Sequence, residues 1–399
     1  ILDSFPNPLS HSLLEILLSM HERRFKCRSA INSLIICAVV WFFFGSAPSA
    51  FFPGEVNLTP AYEQKIVNPF CDTSKPEIAE LTEHSGERSH GNKLTPRIIP
   101  ALAINVTNRI NLSPYAPAFL GGIVLLLSGW AIAYSITLDR AIARATMLLY
   151  SGLFACSGCF TVFGNAKPFD GVAIGLLAIA SAFTFRPFLL VVFSFLALWC
   201  DERSMVGLAI IAATAISTKE GPIKSRLTTL TPLVIATIFY AFSRMVVAAV
   251  FDWNHSDFSF LGLSVMGKQM DVPQLALWIP VEGAWLIIIA ILHHHAYIRP
   301  SLRTLVWIGL VFLASIGSIF LALDTSRSSS YLFPLIPFFL VWLRKTDLPI
   351  DTQRKLMGLA ALVTILSPNL GIVANYQIWA EWKPSLFMRL SDQIIRLFL

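Results

Sequence analysis

The sequence predicts an all-α fold, a polytopic integral membrane helical bundle of about 11 transmembrane segments with one long extracytoplasmic loop after the first span. Three observations predict it. Hydrophobic residues make up 55% of the 399-residue chain and charged residues only 14%, whereas soluble domains carry about 25% charged residues. The apolar residues come in blocks long enough to cross a hydrocarbon core roughly 30 Å thick. Between these blocks the basic residues alternate between rich and poor clusters, as the positive-inside rule requires.

Residues 1–28 form a basic, amphipathic lead-in, with Leu13, Leu14, Leu17 and Leu18 spaced for a surface helix. The run Arg23, Arg24, Lys26 and Arg28 precedes the first apolar block, Ser29–Phe52, and holds the N-terminus in the cytoplasm. That block is too long for a signal-peptide core and is read as a retained span. Residues 53–115 then lie outside and form the long hydrophilic segment. Further spans are expected at Ala116–Thr137, Ala145–Phe163, Gly171–Phe185, Pro187–Cys200, Met205–Ser217, Thr229–Val250, Leu275–Leu292, Thr304–Leu323, Tyr331–Leu343 and Leu356–Ala374. Residues 29–375 thus make one membrane domain. Residues 376–399, with Trp379, Trp382, Lys383, Arg389 and Arg396 among apolar neighbours, read as an interfacial amphipathic helix.

The inside loops hold Arg140, Arg144, Arg186, Lys219, Lys224, Arg226, Arg299, Arg303, Arg344, Lys345, Arg354 and Lys355. The short outside loops hold little beyond Lys167, Arg203, Lys268 and Arg327. The net charge of +6 does not indicate nucleic acid, because the basic residues are scattered rather than gathered on one polar face. The six cysteines lie mostly in or beside apolar segments and give no disulfide framework; Cys156-x-x-Cys159 reads as helix packing. There is no P-loop, dinucleotide glycine motif, HExxH or spaced Cys/His set, so no cofactor is identified. A divalent metal is compatible with the carboxylates but not implied by them.

The acidic residues gather on the outside. Charges at membrane depth are costly and usually face a cavity or a partner. Asp201-Glu202-Arg203 lies between two short apolar segments, where Arg203 fits a phosphate and a carboxylate fits a hydroxyl; a solvated turn with an internal ion pair is the plainer reading. Asp324 and Arg327 share one helical face and form either a second phosphate-binding pair or a helix-end salt bridge. Asp170 fits a substrate contact or, more simply, a helix cap. In the long loop Glu55 and Glu63, and later Asp72, are the carboxylates placed to act as a general base. His293-His294-His295 cannot easily ligate one ion, since consecutive helical side chains diverge. Asn57, Asn105, Asn111 and Asn254 match the glycosylation pattern, all on the expected outside.

The long loop Pro53–Tyr115, the stretch Arg97-Ile-Ile-Pro-Ala-Leu leading into the second span, and the short helices around Asp201-Glu202-Arg203 together resemble the GT-C superfamily of polytopic membrane glycosyltransferases. The resemblance covers mainly the first half of the chain. It implies a sugar transferred from a polyprenyl-phosphate carrier on the extracytoplasmic face of a bacterial inner (plasma) membrane. Its partners would be membrane lipids, a lipid-linked sugar and other membrane subunits. The family's acidic residue early in the first loop is most often Asp; here that position offers Glu55, then Glu63, with Asp72 later. Two other classes fit the same chain: a transporter or lipid flippase built on broken helices, and a non-catalytic subunit of a larger membrane assembly.

Overall fold

The structure, a computed structural model, describes residues 27–40, 60–73, 95–153, 155–156, 159, 169–219, 222–253, 278–320, 328–367, 369–373 and 377–381. Among these the helices are α1 (Cys27–Val40), α2 (Pro60–Val67), α3 (Ile98–Arg109), α4 (Ala116–Thr137), α5 (Arg140–Gly152), α6 (Phe169–Ala182), α7 (Pro187–Cys200), α8 (Ser204–Thr218), α9 (Thr231–Val250), α10 (Trp285–His293), α11 (Leu302–Phe320), α12 (Leu335–Arg344) and α13 (Ile350–Leu366). One antiparallel hairpin, β1 (Asn369–Val373) with β2 (Gln377–Glu381), follows them, pairing Asn369 with Glu381.

Several helices start where a proline's fixed φ favours the first turn: Pro117 in α4, Pro187 in α7 and Pro232 in α9. The α4–α5 reversal uses neither Gly nor Pro. Leu138 takes a left-handed conformation at φ 55° and closes α4 through its N–H to Tyr134 O. Asp139 then caps α5 by accepting from Ile142 N at 2.9 Å.

Packing centres on α4, which lies against α5 and most extensively against α6. Small residues allow this approach. A Cβ on Gly121 would sit 2.0 Å from the Gly171 carbonyl oxygen, and one on Gly175 would sit 2.5 Å from Gly121 Cα. Such close backbone contact between helices needs small residues at the crossing. Around it, α6 packs on α7, α7 on α9, α5 on α13, and α8 on α12. Tyr150, Phe333, Phe338 and Phe339 are fully buried in the shared core, with Tyr150 and Phe333 edge-on at 5.8 Å.

The helical body has two chemically distinct ends. At one, Arg354 bonds Asp139 through Nε (2.9 Å) and Nη2 (2.6 Å), Lys345 Nζ donates to Ser217 O (2.5 Å), and Arg299 pairs with Asp347 (2.6 Å). Arg140, Arg186, Lys219, Arg226 and Arg344 belong to the same turns and helix ends. The other end carries the starts of α6, α8 and α12 and the carboxy end of α7.

Among the described residues two helices are long and apolar enough to cross a membrane, Ala116–Thr137 and the continuous segment Lys224–Val250. The second is mostly unburied by the protein, with Val234, Ile238, Phe239, Phe242 and Met245 exposed on it. The spans expected at Ala116–Thr137 and Pro187–Cys200 coincide with α4 and α7. Elsewhere the structure corrects the sequence reading. Leu275–Leu292 is not one helix: turns precede Glu282, which sits at φ 41°, and regular α-helix starts only at Trp285. Leu356–Ala374 is also divided. The α13 helix ends at Leu366, Ser367 is extended at ψ 139° ahead of Pro368, and the chain enters β1. The amphipathic helix expected over 376–399 is replaced at its start by β2, and residues 382–399 lie outside the described residues. The β-branched residues Ile372, Val373 and Ile378 suit this hairpin, in which Ile372 pairs with Ile378.

The α4–α6 crossing should respond sharply to added volume. Gly121→Ala is expected to cost about 1–3 kcal/mol. Gly309→Ala, where a Cβ meets nothing within 4 Å, should be neutral or stabilise by up to about 1 kcal/mol through helix propensity. Thermal unfolding of the purified variants measures both; equal effects would mean that the crossing is not close-packed.

Candidate functional site

The turn between α7 and α8 brings charge into the protein. Asp201 ends α7 in an extended conformation, its N–H bonded to Ala197 O. Its Oδ1 accepts the Arg203 backbone N–H at 2.9 Å, which folds the turn back on itself. Arg203 is thereby aimed at the same carboxylate and grips both oxygens, Nε on Oδ1 at 2.9 Å and Nη2 on Oδ2 at 2.7 Å. Such two-pronged pairs fix orientation as well as adding energy.

Two other segments join this pair. Asp170, in the first turn of α6, lies 3.0 Å from Arg203 Nη2. Arg97, just ahead of α3, reaches Asp201 Oδ2 through Nη2 at 2.7 Å, with its Nη1 3.6 Å from Asp170. The Asp201 side chain is only 2% exposed and that of Arg203 20%. Burial alone would raise the Asp201 carboxyl, but Arg203 and Arg97 outweigh it and hold it at about 2. For Arg203, burial is outweighed by Asp201 and Asp170, which raise it well above its ordinary value. The Tyr331 ring lies under the guanidinium of Arg203, 4.9 Å from Cζ to ring centroid.

A knot of polar bonds sets Arg97 in place. Buried Lys65 donates to Thr95 O (2.5 Å) and Cys71 O (3.2 Å). Thr95 Oγ1 donates to Asp72 Oδ1 at 3.2 Å, and Thr73 N donates to Thr95 Oγ1 at 3.2 Å. Trp253, beneath Lys65 Nζ at 5.4 Å, donates through Nε1 to Phe70 O at 3.0 Å. Burial pushes the Lys65 ammonium down to about 8, against the opposing pull of Cys71 and Asp72.

Glu202 faces away from this cluster. It pairs with Arg244 of α9, which also donates to the Tyr240 hydroxyl at 2.9 Å. Trp199 Nε1 bonds Ser243 Oγ at 3.2 Å and its ring meets Tyr240 edge-on, so α7 and α9 are joined beside the pair.

Of the residues singled out in the sequence, Asp170, Asp201 and Arg203 come together, and Glu202 serves a neighbouring pair. Asp72 is buried and bonded to Thr95, two residues before Arg97. Glu63 is exposed in the first turn of α2. Glu55, Asp324 and Arg327 lie outside the described residues, as do Lys167, Asn57 and Asn254. The Asn105 amide is engaged internally, donating to Ile66 O at 2.9 Å. His294 and His295 are buried in a π-helical turn with their rings perpendicular at 5.1 Å. All six cysteines are free thiols, and among the described residues no three His, Cys, Asp or Glu side chains are grouped to hold a metal. Sequence reading named Arg97 only within the stretch leading into the second span, not as a site residue, and missed Arg244, Tyr331 and Lys65. Of these three Arg244 alone carried a signal, a charge inside an apolar span.

Comparison with family models, with curated proteins and with solved structures gives no match to this chain.

Removing one member of the cluster strands its partners. Asp201→Asn leaves two guanidinium groups sharing Asp170, and should cost about 3–5 kcal/mol of stability. The pH dependence follows from the depressed carboxyl. Its stabilisation is complete above the unfolded value of about 3.9 and is lost as pH falls toward about 2. In denaturant unfolding across pH 2–7 the gap between wild type and Asp201→Asn should therefore begin to narrow below pH ~4 and be smallest near pH 2; a gap independent of pH would show that the cost is packing rather than charge.

Proposed function

We propose that the chain is a polytopic membrane protein whose Arg97–Arg203 cluster binds the phosphate of a lipid-linked sugar on the extracytoplasmic face, as a glycosyltransferase of the GT-C type would. The observation that carries this reading is the meeting of Arg97, Asp170, Asp201 and Arg203 from three separate segments at one end of the helical body. Buried ionisable groups strongly shifted by specific charge partners cluster at functional sites, and also occur in structural ion-pair networks. The opposite end carries Arg140, Arg186, Lys219, Arg299 and Arg344, and the positive-inside rule supports reading that end as cytoplasmic and the cluster as external. The apolar surface of α9, with Phe239, Phe242 and Met245 exposed, suits lipid. The shorter apolar helices α6, α7, α8, α11 and α12 would complete the membrane body as tilted or cavity-lining spans.

In the proposed reaction a loop carboxylate, Glu55 or Glu63, takes the proton from an acceptor hydroxyl. The hydroxyl oxygen attacks the anomeric carbon with inversion, and the bond to the carrier phosphate breaks with its electron pair. Arg203 and Arg97 donate oriented hydrogen bonds to the leaving phosphate as its charge develops. A second reading is a non-catalytic subunit, in which the cluster holds helices together. The mutual neutralisation of the four charges favours that alternative.

Lipids that copurify with the detergent-solubilised protein separate the two. A polyprenyl phosphate should be enriched with wild type and fall at least about tenfold with Arg203→Ala, the loss expected for a charge-assisted hydrogen bond. Only bulk phospholipid, unchanged by the substitution, would leave the cluster as a structural ion-pair network.

A further inference from the structure

Tyr331 is fully buried in the short 3-10 turn Ser330–Leu332 ahead of α12. Its backbone is held from behind by α8, where a Cβ on Gly207 would come 2.9 Å from Tyr331 O. Its ring carries the Arg203 guanidinium. Its hydroxyl, however, has no hydrogen-bond partner among the described residues, although the phenol is close enough to interact electrostatically with Asp201, Asp170, Arg203 and Arg97. A buried O–H without a partner costs free energy, and folded proteins rarely leave one. Arg203 meanwhile engages Asp170 and Asp201 through Nε and Nη2, and Nη1 makes none of those bonds.

We infer that Tyr331 is a ligand-binding residue of this site, its hydroxyl donating to a phosphate oxygen that the Arg203 guanidinium also contacts. This rests on the anion-binding reading above and adds to it a specific donor. The hydroxyl suits an anionic oxygen because it is a neutral donor beside two carboxylates that already hold the guanidiniums. It donates a hydrogen bond to the ligand without adding another cation to pair.

Tyr331→Phe isolates the hydroxyl, since the ring under Arg203 is kept. A hydroxyl that serves only a ligand contributes nothing to the empty protein, so the variant should unfold at the same temperature as wild type or higher. Binding of a polyprenyl monophosphate to the full chain in detergent should weaken roughly 10- to 100-fold, the range for a hydrogen bond to a charged group. Inorganic phosphate is the second probe. Equal weakening for both would assign Tyr331 to the phosphate itself, and weakening only for the lipid would assign it to an oxygen oriented by the anchored tail; either supports the inference. A clear fall in unfolding temperature would overturn it, because the hydroxyl would then have a partner in the fold. Unchanged binding in Tyr331→Phe alongside lost binding in Arg203→Ala would also overturn it while leaving the anion site intact. Failure of wild type to bind either probe would remove the anion-binding reading and this inference together.

Discussion

Two guanidinium groups from segments more than a hundred residues apart converge on the single carboxylate of Asp201. With Asp170 it balances both arginines, and an unpaired ion beside apolar helices costs several kcal/mol. The constraint runs both ways. With its side chain 2% exposed, Asp201 would be driven toward its neutral form by burial, and only the two arginines keep it ionised. The turn after α7, the entry to α3 and the start of α6 therefore have to reach the same point together. The α4–α6 crossing makes this feasible. Contact at Gly121 and Gly175 fixes where α6 begins, and so where Asp170 stands relative to Arg203. A similar pair at the other end, Asp139 with Arg354, works under weaker constraint. Arg354 is 44% exposed there, so solvent screens the interaction and it sets register more than stability.

Consecutive residues of the α7–α8 turn serve different tasks. Asp201 and Arg203 face the cluster, while Glu202 faces α9. Arg244 is the one charge on α9 between Thr231 and Val250, a helix whose surface is otherwise apolar and largely unpacked. Glu202 and the Tyr240 hydroxyl give that charge its partners and so hold α9 at the flank of α7. One turn thus couples the buried cluster to a helix that is largely exposed to its surroundings.

The helices were legible where apolar runs had chemical boundaries. Pro117 and Pro187 open α4 and α7, and Asp139 and Asp201 follow close on their ends, so composition alone located both. Asp201 and Arg203 were legible too, as charges flanked by apolar segments. The failures share a cause. Leu356–Ala374 is apolar throughout most of its length, and hydropathy cannot tell a helix from a hairpin; Pro368 and the β-branched residues carried that information instead. Asp72 has the chemistry of a general base, yet it bonds Thr95 and helps anchor the approach to Arg97. Arg97 itself was visible only as part of a stretch entering the second span, because the pairing of residues 97, 170 and 201 leaves no local trace. Tyr331 gave no signal whatever, since one more aromatic at the start of an apolar run is unremarkable in sequence.

The charge balance of the cluster decides what kind of site it can be. Two carboxylates against two guanidiniums leave no surplus positive charge to attract an anion from a distance. Recognition here must come from oriented donors at short range. Asp170 and Asp201 supply that orientation, since bonds to Nε and Nη2 fix the plane of Arg203 and the Tyr331 ring lies against it. The ordering of the arginine is then complete before a ligand arrives, and an arriving oxygen need not bear that cost. The same geometry explains why lysine could not replace Arg203. An ammonium has no plane to fix, and would satisfy the carboxylates as a point charge without presenting a second edge.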